Sequence, residues 1–461
     1  MKKLLLILLA IPVAGILIVV SAYVFWSKTE AGALHGVRAQ IKSGGLPTVE
    51  ADFFPQIPPA EQNAAPLLQK AAGLVKTMPE DDVLKRCFPG SAVEKNSTAL
   101  LSGKRLEEVR AFLREPVAGE VVQLLMEAAT KDECFFGREY SKGAFLELPE
   151  MSPMMQAVRL LLNHSWLMAA DGDVDTAANE IRAALKISNF YMQDPILISW
   201  LVGAACEQMS LSAMMSLCGK AEVPAPRSLE LLEKSVKENR SNARASLVRA
   251  FDGERVFFGG SIFEALVSGK ARRAEMQALT GNLSGQDRWG GMAFIFWLYQ
   301  YPLRPLLMAD EAAYLRFMLA ARSDILDPKI SGREPGKLFE QISRSAILTR
   351  LSAPALEPAI RKGQEEETLL DLALIGLRAE QFRVANGHYP GSLSEIPWEG
   401  PLPKDPFADG NFRYKVESAG NLLIYSVGPD LKDNQGNPKK EKREKDIVWL
   451  VRRASPNTQN P

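Results

Sequence analysis

Three histidines and four cysteines, with several acidic clusters, are the residues of this 461-residue chain whose types suggest chemistry. His35, His164 and His388 are too few and too widely spaced to argue for a zinc hydrolase or a histidine-based triad. Cys87, Cys134, Cys206 and Cys218 include no C-x-x-C pair, so the signature of zinc ribbons and thioredoxin-type sites is missing. Cys206 and Cys218 fall on one expected helix, whose rise between them is about 18 Å. A disulfide needs Cα atoms within about 7 Å. A Cys87–Cys134 bridge stays open beside the alternative of buried free thiols.

Other patterns fall short of a site. Ser268-Gly269-Lys270-Ala271 lacks both the earlier glycine and the metal-binding Ser or Thr of a phosphate loop, and neither G-x-G-x-x-G nor G-x-S-x-G occurs. Asp81-Asp82 and Glu365-Glu366-Glu367 read as helix-start or solvated charges. Arg240, Arg244 and Arg249 would form a basic strip, but Glu233, Glu238 and Asp252 flank it. No residue receives a catalytic assignment, and a non-enzymatic role is the expectation. The alternative is an enzyme or ligand-binding protein with a pocket among its helices.

The elements that would carry any site begin with a membrane anchor. Lys2 and Lys3 precede an uncharged run from Leu4 to Trp26. As a helix, that run spans about 34 Å, against a hydrocarbon core of about 30 Å. Tyr23, Phe25 and Trp26 at its far end suit the interface. The apolar core of a cleavable signal peptide is shorter, about 7–15 residues, so an uncleaved anchor is expected. Lys2 and Lys3 favour a cytoplasmic amino terminus with the bulk of the chain outside the cytoplasm, although Lys28, Arg38 and Lys42 dilute the asymmetry. The run Met292–Leu298 is too short to span and reads as a buried or interfacial helix.

Composition agrees with a folded body behind the anchor: 46% of residues are hydrophobic and 24% charged. Basic and acidic residues balance at 55 each, which speaks against nucleic acid as a partner. Gly44, Gly45, Pro47, Pro55, Pro58, Pro59 and Pro66 mark an irregular connector. From about Glu61 to Lys362 the apolar spacing is helical, broken by prolines, which gives an irregular all-α array. Within it, Met154–Ala170 and Val174–Tyr191 flank Asp171-Gly172-Asp173 as a helical hairpin. Gly172, Ala177, Ala184 and Leu185 resemble a tetratricopeptide unit, but Ser165 stands where that family has glycine, and no second copy follows.

After Gly363 the pattern changes to one helix, Glu365–Asn386, followed by short alternating strands around Phe412–Val416, Leu422–Ser426 and Ile447–Val451. Gly387 is placed to end the helix, and Pro390 to prevent its continuation. Tyr414 and Tyr425 lie in strands as packing residues.

This segment resembles the periplasmic head of the type II secretion major (G-type) pseudopilin. The resemblance rests on Phe382-Arg383, Asn386-Gly387-His388-Tyr389-Pro390, Leu402-Pro403-Lys404-Asp405-Pro406-Phe407, Phe412-Arg413-Tyr414, Tyr425-Ser426-Val427-Gly428-Pro429-Asp430 and Asp446-Ile447, in that order. It implies a bacterial envelope protein and a calcium-binding loop, for which Asp430, Asp433 and Asp446 could supply carboxylates and Asn434 and Asn437 further oxygens, with a plain polar turn as the alternative. Asp430 and Asp446 align best with the family pattern. Lys439, Lys440, Lys442, Arg443 and Lys445 intrude on the loop. A pseudopilin also carries a glutamate inside its apolar helix, and that helix runs straight into the head. Leu4–Trp26 contains no acid and lies far from the head, so ordinary pseudopilus assembly is not expected.

The expected organisation is an anchor at 1–27, a connector at 28–60, an all-α domain at 61–362, an α+β head at 363–453 and a flexible tail at 454–461. The expected role is a single-pass inner-membrane protein, held through residues 4–26, that works in assembly, as a secretion accessory or through protein interaction with other envelope proteins.

Overall fold

A computed structural model describes residues 2–78, 104–220, 224–268, 301–327, 337–417, 420–437 and 446–453. Cys87, Asp81-Asp82, Gly269–Ala271, Met292–Leu298, the basic run 439–445 and the tail lie outside them. Among the described residues the chain is mostly helical with one small antiparallel sheet.

The first helix, α1 (Lys2–Ser43), runs well past the apolar segment and through much of the expected connector. The reason lies in Leu34, Val37 and Ile41, which recur at helical spacing and bury against the body. Helices α2 (Ala65–Thr77), α3 (Lys104–Leu113) and α4 (Pro116–Ala128) follow. The hairpin forms from α5 (Met151–Ala170) and α6 (Val174–Gln193). Gly172 turns between them at φ 90°, and Asp173 caps α6 by accepting from the Thr176 amide at 3.1 Å.

Next come α7 (Leu197–Cys218) and α8 (Pro226–Gly253), then a π turn at Glu254–Gly259 that leads into α9 (Gly260–Ser268). Helix α7 is long and apolar enough to cross a membrane by length and composition. It is instead a core helix, with 78% of its apolar window buried inside the protein. Cys206 and Cys218 do share it, and both are free buried thiols. Cys134 is free as well.

Helix α10 (Arg304–Leu326) packs along α1, joined by an Arg38–Glu311 ion pair and by the Tyr23 hydroxyl donating to the Tyr301 carbonyl at 3.1 Å. The last helix, α11 (Ile347–Asn386), begins 18 residues before Glu365, where the sequence pattern places its start. Pro354 and Pro358 lie inside it and hide that earlier start. It ends at Gly387, left-handed at φ 79°, whose amide donates to the Arg383 carbonyl at 2.8 Å.

Strands β1 (Arg413–Val416), β2 (Leu422–Ser426) and β3 (Ile447–Val451) form an antiparallel sheet in that order, with Ile424 opposite Trp449 and Tyr425 opposite Val448. Leu422, Ile424, Trp449 and Val451 face α11 and join the main apolar core, which also takes in residues of α2 to α8. Each such side chain contributes about 1.5–3 kcal/mol on burial. The opposite face carries Leu423, Tyr425 and Val448 in a separate small cluster. The C-terminal unit is therefore not packed as an independent body: one core runs from the helices into the sheet.

Candidate functional site

The predicted acidic residues do gather. Asp430, Asp433, Asp446 and Asn434 converge on the loop that follows β2. Asp446 is buried and accepts from the Asn434 amide at 3.2 Å and the Gly436 amide at 2.7 Å. Asp430 accepts from the Lys432 amide and from the Asn434 side chain, both at 3.2 Å. Asp433 accepts from the Gln435 amide at 2.8 Å and the Tyr425 hydroxyl at 3.2 Å. Asn437 enters through its backbone, donating to the Asn434 carbonyl at 3.2 Å. Burial raises the Asp446 carboxyl above its usual range, and the charges of Asp433 and Asp430 add to the rise, while the two amide bonds oppose it.

These bonds shape the loop. Asp430 and Asp433 each accept from the amide two residues on, as Asx turns do, whereas Asp446 accepts from amides ten and twelve residues earlier. Asp446 ties Gly436 down, and at Gly436 the loop lies against Leu423 and Tyr425, covering the outer face of the sheet. Among the described residues, no group of three or more His, Cys, Asp or Glu side chains is arranged to hold a metal. The loop thus has a structural task that its acids already perform.

The neighbouring Asp405 is a second buried carboxylate, and it has a full set of donors. It accepts from the Ser426 hydroxyl at 2.6 Å, the Phe407 amide at 3.0 Å, Arg413 at 3.1 Å and the Val427 amide at 3.2 Å. Tyr414 is a packing residue that also donates to the Pro390 carbonyl at 2.7 Å. Glu380 closes the seam between α11 and the sheet, taking Arg383 at 2.6 Å and the Tyr389 hydroxyl at 2.6 Å, with Arg453 at 3.8 Å.

The basic strip on α8 is not a surface for an external anion. Arg240 pairs with Glu367 at 2.6 Å and Asp371 at 2.7 Å, and Arg244 pairs with Glu367 at 2.5 Å. Arg249 donates to the Phe53 carbonyl at 2.6 Å and the Gln193 carbonyl at 2.8 Å. Glu365-Glu366-Glu367 is corrected in turn. Because α11 starts early, these residues sit mid-helix, and Glu366 is buried where helix-start or solvated charges were expected.

Opposite these satisfied groups stands the outer part of α1. Ile16, Leu17, Ile18, Val19, Val20, Val24 and Phe25 are all exposed, whereas Leu34, Val37 and Ile41 of the same helix are buried. One helix is seated on the body at one end and bare and apolar at the other. No family model, curated protein or solved structure matches the chain.

Proposed function

We propose that the chain is a single-pass membrane-anchored protein of the bacterial envelope, in which the helical body braces a pseudopilin-like C-terminal unit for assembly, secretion or another protein-interaction role. The observation that carries the reading is the bare apolar stretch of α1. Exposed side chains from Ile16 to Phe25 would be costly in water, and a bilayer removes that cost. Tyr23 and Trp26 meet edge to face where the helix reaches the body, a position suited to the interface. The basic strip of Arg240, Arg244 and Arg249 is spent on Glu367, Asp371 and backbone carbonyls, which favours bracing over catalysis there.

Fractionation tests the anchor. The full chain is expected in membranes after alkaline carbonate washing, and a variant lacking residues 2–26 in the soluble fraction. Recovery of the full chain as a soluble protein would overturn the reading. The same reading places calcium at Asp430, Asp433 and Asp446. A site there stabilises the full chain by mass action, so millimolar calcium should raise the melting temperature and Asp446→Asn should abolish the rise. An unchanged melting temperature removes calcium from the reading.

A further inference from the structure

Glu207 and Glu366 differ from the other buried acids described above. Glu207 on α7 is fully buried, and Glu366 on α11 is 1% exposed. Asp405 and Glu380 are surrounded by donors, but here donors run short. Asn239 of α8 donates to Glu207 Oε1 at 2.6 Å and, with its other N–H, to the Leu185 carbonyl of α6 at 3.1 Å. Among the described residues, Glu207 Oε2 and Glu366 Oε2 have no hydrogen-bond donor, and Glu366 Oε1 is met by Lys362 alone. Lys362 also donates to Gln208 Oε1 at 3.2 Å.

The groups facing this point come from three helices. Helix α7 supplies Glu207 and Gln208, α8 supplies Asn239, and α11 supplies Lys362 and Glu366, with Glu365 acting on Lys362. The next layer does not compensate. Arg240 and Arg244 are paired with Glu367 and Asp371, and Arg159 acts on Cys206. Two buried carboxyls therefore share one ammonium, which belongs to a partly exposed lysine. A metal ion fits poorly, because Lys362 already stands against Glu366.

We propose that a proton is held at the Glu207–Glu366 pair, making a neutral three-residue cluster with Lys362, and that losing it loosens the crossing of α7 and α11. The proton turns one acceptor oxygen of this buried group into a donor, easing the donor shortage without a metal. Burial pushes the Glu207 carboxyl up to about 8, and the Glu366 charge adds to the rise, while Asn239 and Lys362 oppose it. A carboxyl whose folded pKa lies above its unfolded value of 4.5 binds the proton more tightly when folded. Its contribution to stability is then lost as pH rises between those values.

Native-state amide hydrogen exchange of the full chain, corrected for the intrinsic pH dependence of exchange, tests this. In the unmodified protein, protection of α7 and α11 should fall by up to tenfold per pH unit between about pH 6 and 8, the slope of one proton. Glu207→Gln should flatten that dependence, because its amide keeps an oxygen for Asn239 and supplies a donor that does not titrate. Glu366→Gln removes the neighbouring charge but leaves Glu207 buried, so the decline should move to lower pH without vanishing. Infrared spectra at neutral pH should show a protonated carboxyl band that Glu207→Gln removes. An unaltered pH dependence in both variants, or two ionised carboxylates at neutral pH, would overturn the proposal.

Discussion

Replacing Gly376 by alanine sets two physical effects of opposite sign against each other. Gly376 lies inside α11, where alanine is the better helix former by about 1 kcal/mol. Helix propensity alone therefore expects Gly376→Ala to stabilise the protein. The surroundings expect the reverse. A Cβ built there would lie 2.1 Å from Trp449 Nε1, 2.5 Å from Cε2 and 2.6 Å from Cδ1. Carbon atoms pack at about 3.5–4.0 Å, so roughly 1.5 Å must be recovered by moving helix or sheet. The indole has little room to yield, since Trp449 is fully buried on β3 and stands opposite Ile424. Overpacking of this kind costs about 1–3 kcal/mol. Taking the upper end against the propensity gain leaves about 2 kcal/mol of net destabilisation, or roughly thirtyfold in the unfolding constant. Urea denaturation followed by circular dichroism measures it, and β3 amides should lose hydrogen-exchange protection first. Gly73 on α2 is the control: a Cβ there meets nothing within 4 Å, so Gly73→Ala should stabilise by about 1 kcal/mol. In a Trp449→Leu background, Gly376→Ala should turn neutral or stabilising. If Gly376→Ala stabilises the unmodified protein as much as Gly73→Ala does, the packing argument fails.

Two other substitutions examine buried polar groups whose partners are known. His164 Nδ1 meets Glu180 at 2.7 Å, and this hydrogen bond raises the imidazole above its usual 6.5. That contribution to stability is complete below about pH 6.5 and is lost as pH rises through the folded value. Burial raises Glu180 too, with His164 pulling it back, so its contribution also declines as pH rises. Glu180→Gln should return the His164 titration toward 6.5 in NMR spectra, and an unmoved titration would refute the pairing. Asp405→Ala strands a hydroxyl, two amides and Arg413. It should cost about 3 kcal/mol in urea denaturation, and a cost near zero would show that water satisfies those donors.

The sequence made the sheet legible because its signals are local. Tyr414 and Tyr425 sit in alternating strands, and Gly387 with Pro390 marks the end of the preceding helix, so β1, β2, β3 and the end of α11 fall where the pattern places them. The turn at Gly172 is legible for the same reason. The start of α11 is not, because Pro354 and Pro358 imitate a boundary that packing overrides. The extension of α1 was obscured by its apolar run, which draws attention away from the sparser spacing of Leu34, Val37 and Ile41. For the candidate loop, acid composition foretells proximity but not how the oxygens are used. That depends on which amides the chain folds toward them. Glu207 did leave a trace: it is the single charged residue in the 22 residues of α7, and an acid so isolated in an apolar helix needs a partner from elsewhere.

That trace bears on how the body and the C-terminal unit are joined. Glu366 and Gly376 stand ten residues apart on α11, about 15 Å along one continuous helix. The first is buried against Lys362, which also donates to Gln208 of α7, and the second lies against the Trp449 indole. Helix α7 also meets the sheet directly, since the Leu450 amide of β3 donates to Met215 Sδ at 3.4 Å, and just beyond β3 Arg453 donates to the Cys218 carbonyl at 3.0 Å. A rigid helix fixed at both points, with α7 bridging the same two regions, gives the C-terminal unit little freedom to swing on a hinge. Any partner that binds the sheet would then act on the helical body through α11 and α7. The place where such a load would most readily alter packing is around Glu207 and Glu366, which have fewer donors than the buried acids Asp405 and Glu380.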